Sequence, residues 1–227
     1  MRIRWYGQSA FLLEGPPRVF IDPFGPMPGL AARGRRFDYP PIAGVEADLL
    51  LVTHEHRDHT AVDAVGGAPR LIRSLAGSWA DTPAGEVVGV ASEHDPEAGT
   101  LRGHNVMFRF ALGGLRVAHL GDLGQAAMRP EQVRALGAID VLFVPIGGAG
   151  LTIDGEAAAE AVRFLGPRLV VPMHFRTPLV DFLDPPGAFL DALGARTASV
   201  GASEAGADAH LGTPDDPVVL LLRPPGA

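Results

Sequence analysis

The chain has 227 residues, 47% apolar and 20% charged, with a formal net charge of −7. That is the make-up of a globular protein of ordinary domain size, and its sign argues against a partner as acidic as long nucleic acid. All 19 basic residues are arginine and there is no cysteine, which excludes lysine Schiff bases, thiol nucleophiles, disulfides, iron–sulfur clusters and cysteine-based zinc fingers.

Residues 1–7 lack the apolar core of a secretory leader, and no apolar run approaches the ~20 residues that span a bilayer. A cytoplasmic protein without membrane contact is expected. Short strand-like runs at 3–6, 10–14 and 19–22 are separated by Gly and Pro, which predicts an antiparallel opening. Residues 23–41 form a loop-rich stretch carrying Arg33, Arg35 and Arg36. The run 48–53 is continuously apolar up to Thr53, as in a strand buried on both faces. Further strands are predicted at 87–91, 106–112, 115–120, 141–144, 169–171 and 218–222. Helices are predicted at 60–65, 130–136, 155–165 and 187–193, with Pro130 as the first helical residue of one and Asp154 as the N-cap of another. The order of elements predicts one layered α/β domain over 1–227, with residues 223–227 as a loose tail.

Four of these strands run directly into polar residues. They lead to Thr53-His54-Glu55-His56, to His119-Leu120-Gly121-Asp122, to Pro145-Ile146-Gly147-Gly148 and to Pro172-Met173-His174. Sites in layered α/β folds form where strand ends converge and loops leave the sheet.

The densest signal is His54-Glu55-His56-Arg57-Asp58-His59. An extended backbone would point His54 and His56 to one side, with Asp58 and His59 following as a second pair. Two adjacent cations are the natural occupants. Imidazole and carboxylate suit zinc, and also manganese or iron.

The motif resembles the metallo-β-lactamase superfamily. A further His (His94), an Asp (Asp122) and a last His (His174) occur in the superfamily's order. Within it, the closer likeness is to the branch of ascorbate-6-phosphate lactonase-like and related small metal-dependent hydrolases, through Ile21-Asp22-Pro23, Arg102-Gly103 with Asn105, Gly121-Asp122-Leu123-Gly124, Pro145-Ile146-Gly147-Gly148 and Pro172-Met173-His174-Phe175. The resemblance implies a four-layer αββα sandwich. It assigns His54, His56 and His94 to one metal, Asp58, His59 and His174 to a second, and Asp122 to a bridge between them. It departs from the diiron oxygen reductases of the superfamily at His56, where those carry Glu.

Such a centre implies a hydrolase in which a metal-activated water attacks a carbonyl or phosphorus centre, with Asp58 orienting the nucleophile. The expected substrate is a small, anionic molecule with a lactone, ester, amide or phosphodiester bond. Two other readings stay open: a nuclease or cyclic-nucleotide phosphodiesterase on the same fold, and a metal-bearing binding or regulatory protein without turnover.

Several residues carry two readings. His94 has a rival in His104, with His94 favoured by its surroundings. His119 either supports Asp122 or gives a proton, or else is a buried strand-end His bonded to a backbone carbonyl. Asp22 either accepts from a ligating His or starts a turn before Pro23. Arg33, Arg35 and Arg36 either form an anion-recognising lid or are a solvated charge run. His210 is expected on a solvated loop. Gly147, Gly148 and Gly150 lack a dinucleotide spacing and are expected to let backbone pass close to the site.

Overall fold

The computed structural model describes residues 1–226. In chain order its strands are β1 (Arg2–Gly7), β2 (Ala10–Glu14), β3 (Val19–Ile21), β4 (Val45–Glu46), β5 (Leu49–Val52), β6 (Val65–Gly66), β7 (Arg70–Arg73), β8 (Gly77–Thr82), β9 (Gly85–Glu93), β10 (His104–Leu112), β11 (Leu115–His119), β12 (Val141–Pro145), β13 (Leu169–Met173), β14 (Arg196–Val200), β15 (Glu204–Gly206) and β16 (Val218–Leu222). The helices are α1 (Pro28–Ala31), α2 (Pro130–Leu136), α3 (Gly155–Leu165) and α4 (Gly187–Leu193). None is long and apolar enough to cross a membrane.

Two sheets face each other. The six-stranded sheet runs β15-β1-β2-β3-β5-β7 and the eight-stranded sheet runs β14-β16-β13-β12-β11-β10-β9-β8. In the first, β1, β2 and β3 pair antiparallel, then β3, β5 and β7 pair parallel. In the second, β8 to β11 form an antiparallel meander and β11, β12, β13 and β16 run parallel. Side chains alternate across a strand with period two, and the core divides accordingly. Phe11, Leu13, Val19, Ile21, Leu49 and Leu51 face the space between the sheets. Their neighbours Ala10, Leu12, Phe20 and Leu50 face outward into a second apolar cluster with Phe24, Tyr39, Ile42 and Val180. That outward burial is why 49–52 reads as an unbroken apolar run.

The outer layers differ. Over the eight-stranded sheet, α3 packs Ala158, Ala161, Val162 and Leu165 inward, begins with Asp154 accepting from Ala157 N at 2.9 Å, and ends at the left-handed Gly166. Pro130 opens α2, and α4 spans its expected residues. The layer over the six-stranded sheet is thin: α1 has four residues, and the helix expected at 60–65 is instead a 3₁₀ turn, Val62–Ala64, running into β6. Tertiary pairing overrides local preference there. Ala61 N donates to Pro23 O, and Val65 pairs in parallel with Val45 of β4.

Sequence patterning missed β7, β8, β14 and β15, as well as the two-residue β4 and β6. The first three each stand at or near a sheet edge with many exposed residues, so they lack the apolar alternation that marks a strand. The expected loose tail is anchored at its start: Arg223 N donates to Val200 O and Ala202 O. Its last residue, Ala227, lies outside the described residues.

Candidate active site

Strand ends from both sheets meet at one edge of the sandwich. Where β5 ends, Thr53 N donates to Asp22 Oδ1 at 2.8 Å and Thr53 Oγ1 donates to Asp22 Oδ2 at 2.7 Å. This clamps the exits of the adjacent parallel strands β3 and β5. The single Thr53 hydroxyl proton is thereby used, so its oxygen accepts from His54 Nδ1 at 3.0 Å. That leaves His54 Nε2 as a bare lone pair. Residues 56–59 turn tightly, with His59 N donating to His56 O at 3.0 Å. His94 follows β9, Asp122 follows β11 by three residues, and His174 follows β13.

Glycine lets these loops touch. A Cβ on Gly121 (φ +58) would collide with Asn105 Oδ1 and stand 2.8 Å from Thr53 Cβ. One on Gly124 would collide with the His94 carbonyl, and one on Gly147 with the His174 carbonyl. Asn105 uses the space, accepting from Asp122 N at 3.0 Å and donating to Leu120 O at 2.8 Å. Of the seven non-glycine residues with left-handed backbone among the described residues, three stand at the cluster: Gln8, Asp22 and His174, each with φ 51. Such strain persists only where surroundings enforce it, and it gathers at working sites.

Asp122 Oδ2 is the hub. It lies 3.3 Å from His59 Nε2, 3.3 Å from His174 Nε2, 3.4 Å from His94 Nε2 and 3.8 Å from His54 Nε2. Asp58 Oδ2 is 3.5 Å from His59 Nε2, and His56 Nδ1 is 3.1 Å from His54 Nε2. Donor atoms of His54, His56 and His94 lie within 4.8 Å of one another, as do those of Asp58, His59 and His174, and those of His54, His59 and Asp122. All seven residues expected from the sequence are brought together in these three overlapping groups. His94 is buried in the cluster, whereas its rival His104 is exposed at the start of β10. His210 is half-buried at the end of a 3₁₀ turn and belongs to none of these groups.

The ionisable groups of the cluster shift one another. Burial, and then the neighbouring His59, hold His54 well below the usual histidine range. Burial and His94 lower His56. For His59 burial acts the same way, yet the charges of Asp122, Asp58 and Asp22 overcome it and raise it well above that range. Burial would raise the Asp122 and Asp58 carboxyls, but the adjacent His174 and His59 hold Asp122 well below the carboxylate range, and His59 does the same for Asp58.

The donor set fits divalent cations on two grounds. Asp22 and Asp122 are buried, with Asp58 beside them, and among the described residues the groups within 4 Å that could balance them are imidazoles, with no arginine. Uncompensated buried carboxylates cost several kcal/mol each. The spacings agree as well: ligand bonds of ~2.0–2.1 Å to a tetrahedral ion put neighbouring ligand atoms ~3.3–3.4 Å apart, close to the 3.3–3.5 Å contacts around Asp122 and Asp58. Both ring nitrogens of His59 are buried without an aligned hydrogen bond, and so is Gln8 Oε1. His59 Nδ1 does lie 3.0 Å from Asp22 Oδ2.

The structure separates the paired readings. Asp22 stands against His59 and clamps Thr53, so it supports the cluster from behind. His119 accepts from Gly121 N at 3.1 Å and therefore donates its other nitrogen to Ser9 O, also at 3.1 Å. Burial keeps it neutral by lowering its pKa. Both nitrogens are committed to backbone, which is the buried strand-end reading. Sequence reasoning missed Gln8, whose Nε2 donates to Asp58 Oδ2 at 3.1 Å, and Ser9, whose hydroxyl donates to Asp122 Oδ1 at 3.3 Å. The polar pair between β1 and β2 was the available signal.

Comparison with known proteins agrees with this geometry. The family model described as "Beta-lactamase superfamily domain" matches residues 2–174, from the first strand to the last histidine of the cluster. A UPF0173 metal-dependent hydrolase from Thermococcus kodakarensis is 32% identical over 205 residues, 78% of this chain and 85% of the relative. One from Archaeoglobus fulgidus is 32% identical over 209 residues, 80% and 86% of the two chains. The crystal structure of a Thermotoga maritima protein, described as a candidate Zn-dependent hydrolase of the metallo-β-lactamase superfamily, superposes with a TM-score of 0.73 at 30% identity, covering 98% of each chain. The chain thus belongs to the metallo-β-lactamase superfamily and, within it, to this family of metal-dependent hydrolases.

Proposed function

We propose that the chain hydrolyses an ester, lactone, amide or phosphodiester bond in a small molecule, using two divalent ions. His54, His56 and His94 would hold one, Asp58, His59 and His174 the other, with Asp122 between. The observation that carries this reading is the convergence of four imidazole Nε2 atoms on Asp122 Oδ2 at 3.3–3.8 Å. Zinc suits the donors, with manganese and iron as alternatives. Bound there, such ions supply Lewis acidity and lower the pKa of a coordinated water from 15.7 to roughly 7.

The protein's own groups do the rest. Asp58 is held in place by Gln8 and stays ionised at neutral pH. It lines the cavity over the cluster, where its ionised carboxylate can accept a hydrogen bond from a water and orient it. His56, half-buried on the same wall, would be taken up by its ion, so the leaving group takes its proton from water. The cavity, of about 380 Å³, is of metabolite size.

The test starts with protein purified without chelator. Elemental analysis should give at least one equivalent of transition metal, and His59→Ala and Asp122→Ala should each lose metal and turnover together. Less than one equivalent in the parent, or near-parent activity in either variant, refutes the reading. A panel of lactones and phosphodiesters at saturating metal then separates the bond classes.

A further inference from the structure

The cavity over the cluster has a rim of one charge. Arg33, Arg35, Arg57 and Arg102 line it together with His56, Asp58, Asp122 and His174. They come from three separate segments: the loop after α1, the tight turn at 56–59, and the connection between β9 and β10. Elsewhere in this chain arginines commonly meet carboxylates, as Arg73 meets Glu55 at 2.6 Å and Arg116 meets Asp140 at 2.8 Å. Among the described residues, the four rim arginines have no such partner within 4 Å. Glu55, two residues from Arg57, is taken by Arg73 and Ser74.

Two of the four are held without being neutralised. The Arg35 guanidinium lies 5.4 Å from the centre of the Phe182 ring, a cation–π contact that fixes the group but keeps its charge. Arg102 Nε donates to Gly150 O at 2.8 Å, which leaves its two terminal nitrogens to donate elsewhere. Arg36 shows the contrast. It turns away, donating to Pro178 O from its guanidinium and to Asp181 from its backbone.

Four unneutralised guanidiniums at one mouth repel one another, and they run against a chain whose net charge is −7. The acids on the cavity wall are Asp58 and Asp122, both part of the cluster, while Met27, Leu30, Leu151 and Phe182 make its apolar part. A molecule fitting this space has a carbon body, a scissile bond near Asp122 and an oxyanion near the rim.

We propose that Arg33, Arg35, Arg57 and Arg102 form an oxyanion-binding rim. It takes a carboxylate or phosphate group carried by the substrate and thereby selects what the centre cleaves. The guanidinium fork matches both groups bidentately. The proposal rests on the hydrolase reading above, and it also makes a claim that is independent of turnover.

The experiment titrates inorganic phosphate and, separately, succinate into metal-free and zinc-loaded protein at low ionic strength by calorimetry. Variants are Arg33→Gln with Arg35→Gln, and Arg102→Gln. Arg134→Gln, on exposed α2, is the charge control, and denaturation midpoints establish that all are folded. Both forms of the protein should bind at least one of the anions. The rim variants should weaken binding about tenfold or more, the scale of a charge-assisted hydrogen bond, and the control should not. Whichever anion binds more tightly identifies the group. Binding confined to zinc-loaded protein and untouched by the rim variants would overturn the proposal, as would equal weakening in the control or no binding of either anion. Metal-dependent turnover that survives such a failure leaves the hydrolase reading intact. Anion binding at the rim of a protein that takes up no metal would sink the hydrolase reading alone.

Discussion

Replacing Gly121 by alanine tests how tightly the loops of the site are interlocked. Gly121 has φ +58, and a left-handed backbone costs an L-residue about 1–2 kcal/mol. The added methyl also has nowhere to go: it meets the Asn105 amide oxygen and the Thr53 side chain, at 2.8 Å from Cβ and 2.9 Å from Oγ1. Such overpacking costs a further ~1–3 kcal/mol. The expected loss is therefore about 2–5 kcal/mol, a large part of the ~5–15 kcal/mol that holds a domain folded. Gly194 separates the two contributions. It closes α4 with φ 65, and a methyl group added there would meet nothing within 4 Å, so Gly194→Ala should cost only the backbone contribution, about 1–2 kcal/mol. Urea denaturation of metal-free protein reads both, and a chelator competition reads zinc affinity. Displacing Asn105 and Thr53 moves the supports of Asp122 and His54, so Gly121→Ala should also weaken zinc binding while Gly194→Ala does not. Equal losses in the two variants, with equal zinc affinity, would refute the interlocked-loop account.

Two further outcomes follow from the same geometry. Asp22→Asn should lower metal affinity about 10–100-fold in a folded protein, because Asp22 backs His59 and anchors Thr53; unchanged affinity in the chelator competition would remove Asp22 from the site. Asp140 is a stability group away from the site: chiefly its hydrogen bond with Arg116 holds its carboxyl down to about 2. A depressed folded pKa stabilises above the unfolded value, and that contribution fades as pH falls through 4 toward 2. Asp140→Asn should thus cost no more than ~2 kcal/mol at pH 6, with the gap to the parent closing by pH 2–3 in urea titrations; a gap independent of pH would contradict the assignment.

The sequence made the cluster legible because its chemistry lies in residue type. His54, His56, Asp58, His59, His94, Asp122 and His174 are donors wherever they stand, and strand ends are where donors converge. Gln8, Ser9 and Thr53 were illegible for the opposite reason. Each is an ordinary polar residue whose role comes from a contact with a residue far along the chain, Asp58, Asp122 and Asp22 respectively. The fold divides in the same way. Strands buried on both faces, such as β5 and β13, announce themselves, while β7 sets arginines around its apolar residues at a sheet edge. The helix expected at 60–65 yields to pairing between Val65 and Val45, a partner no local window contains. Arg33 and Arg35 carried two readings because a charge run looks alike whether it faces solvent or a cavity.

The walls and the mouth of this site are built to different tolerances. At the walls, Gly121, Gly124 and Gly147 bring neighbouring segments so close that a single methyl group would collide. At the mouth, Arg33, Arg35 and Arg57 stand exposed on loops and turns. Substitutions at the mouth can therefore accumulate without dismantling the centre, whereas almost any change at the walls removes it. A lineage built on this plan can drift in what it accepts while its chemistry stays fixed.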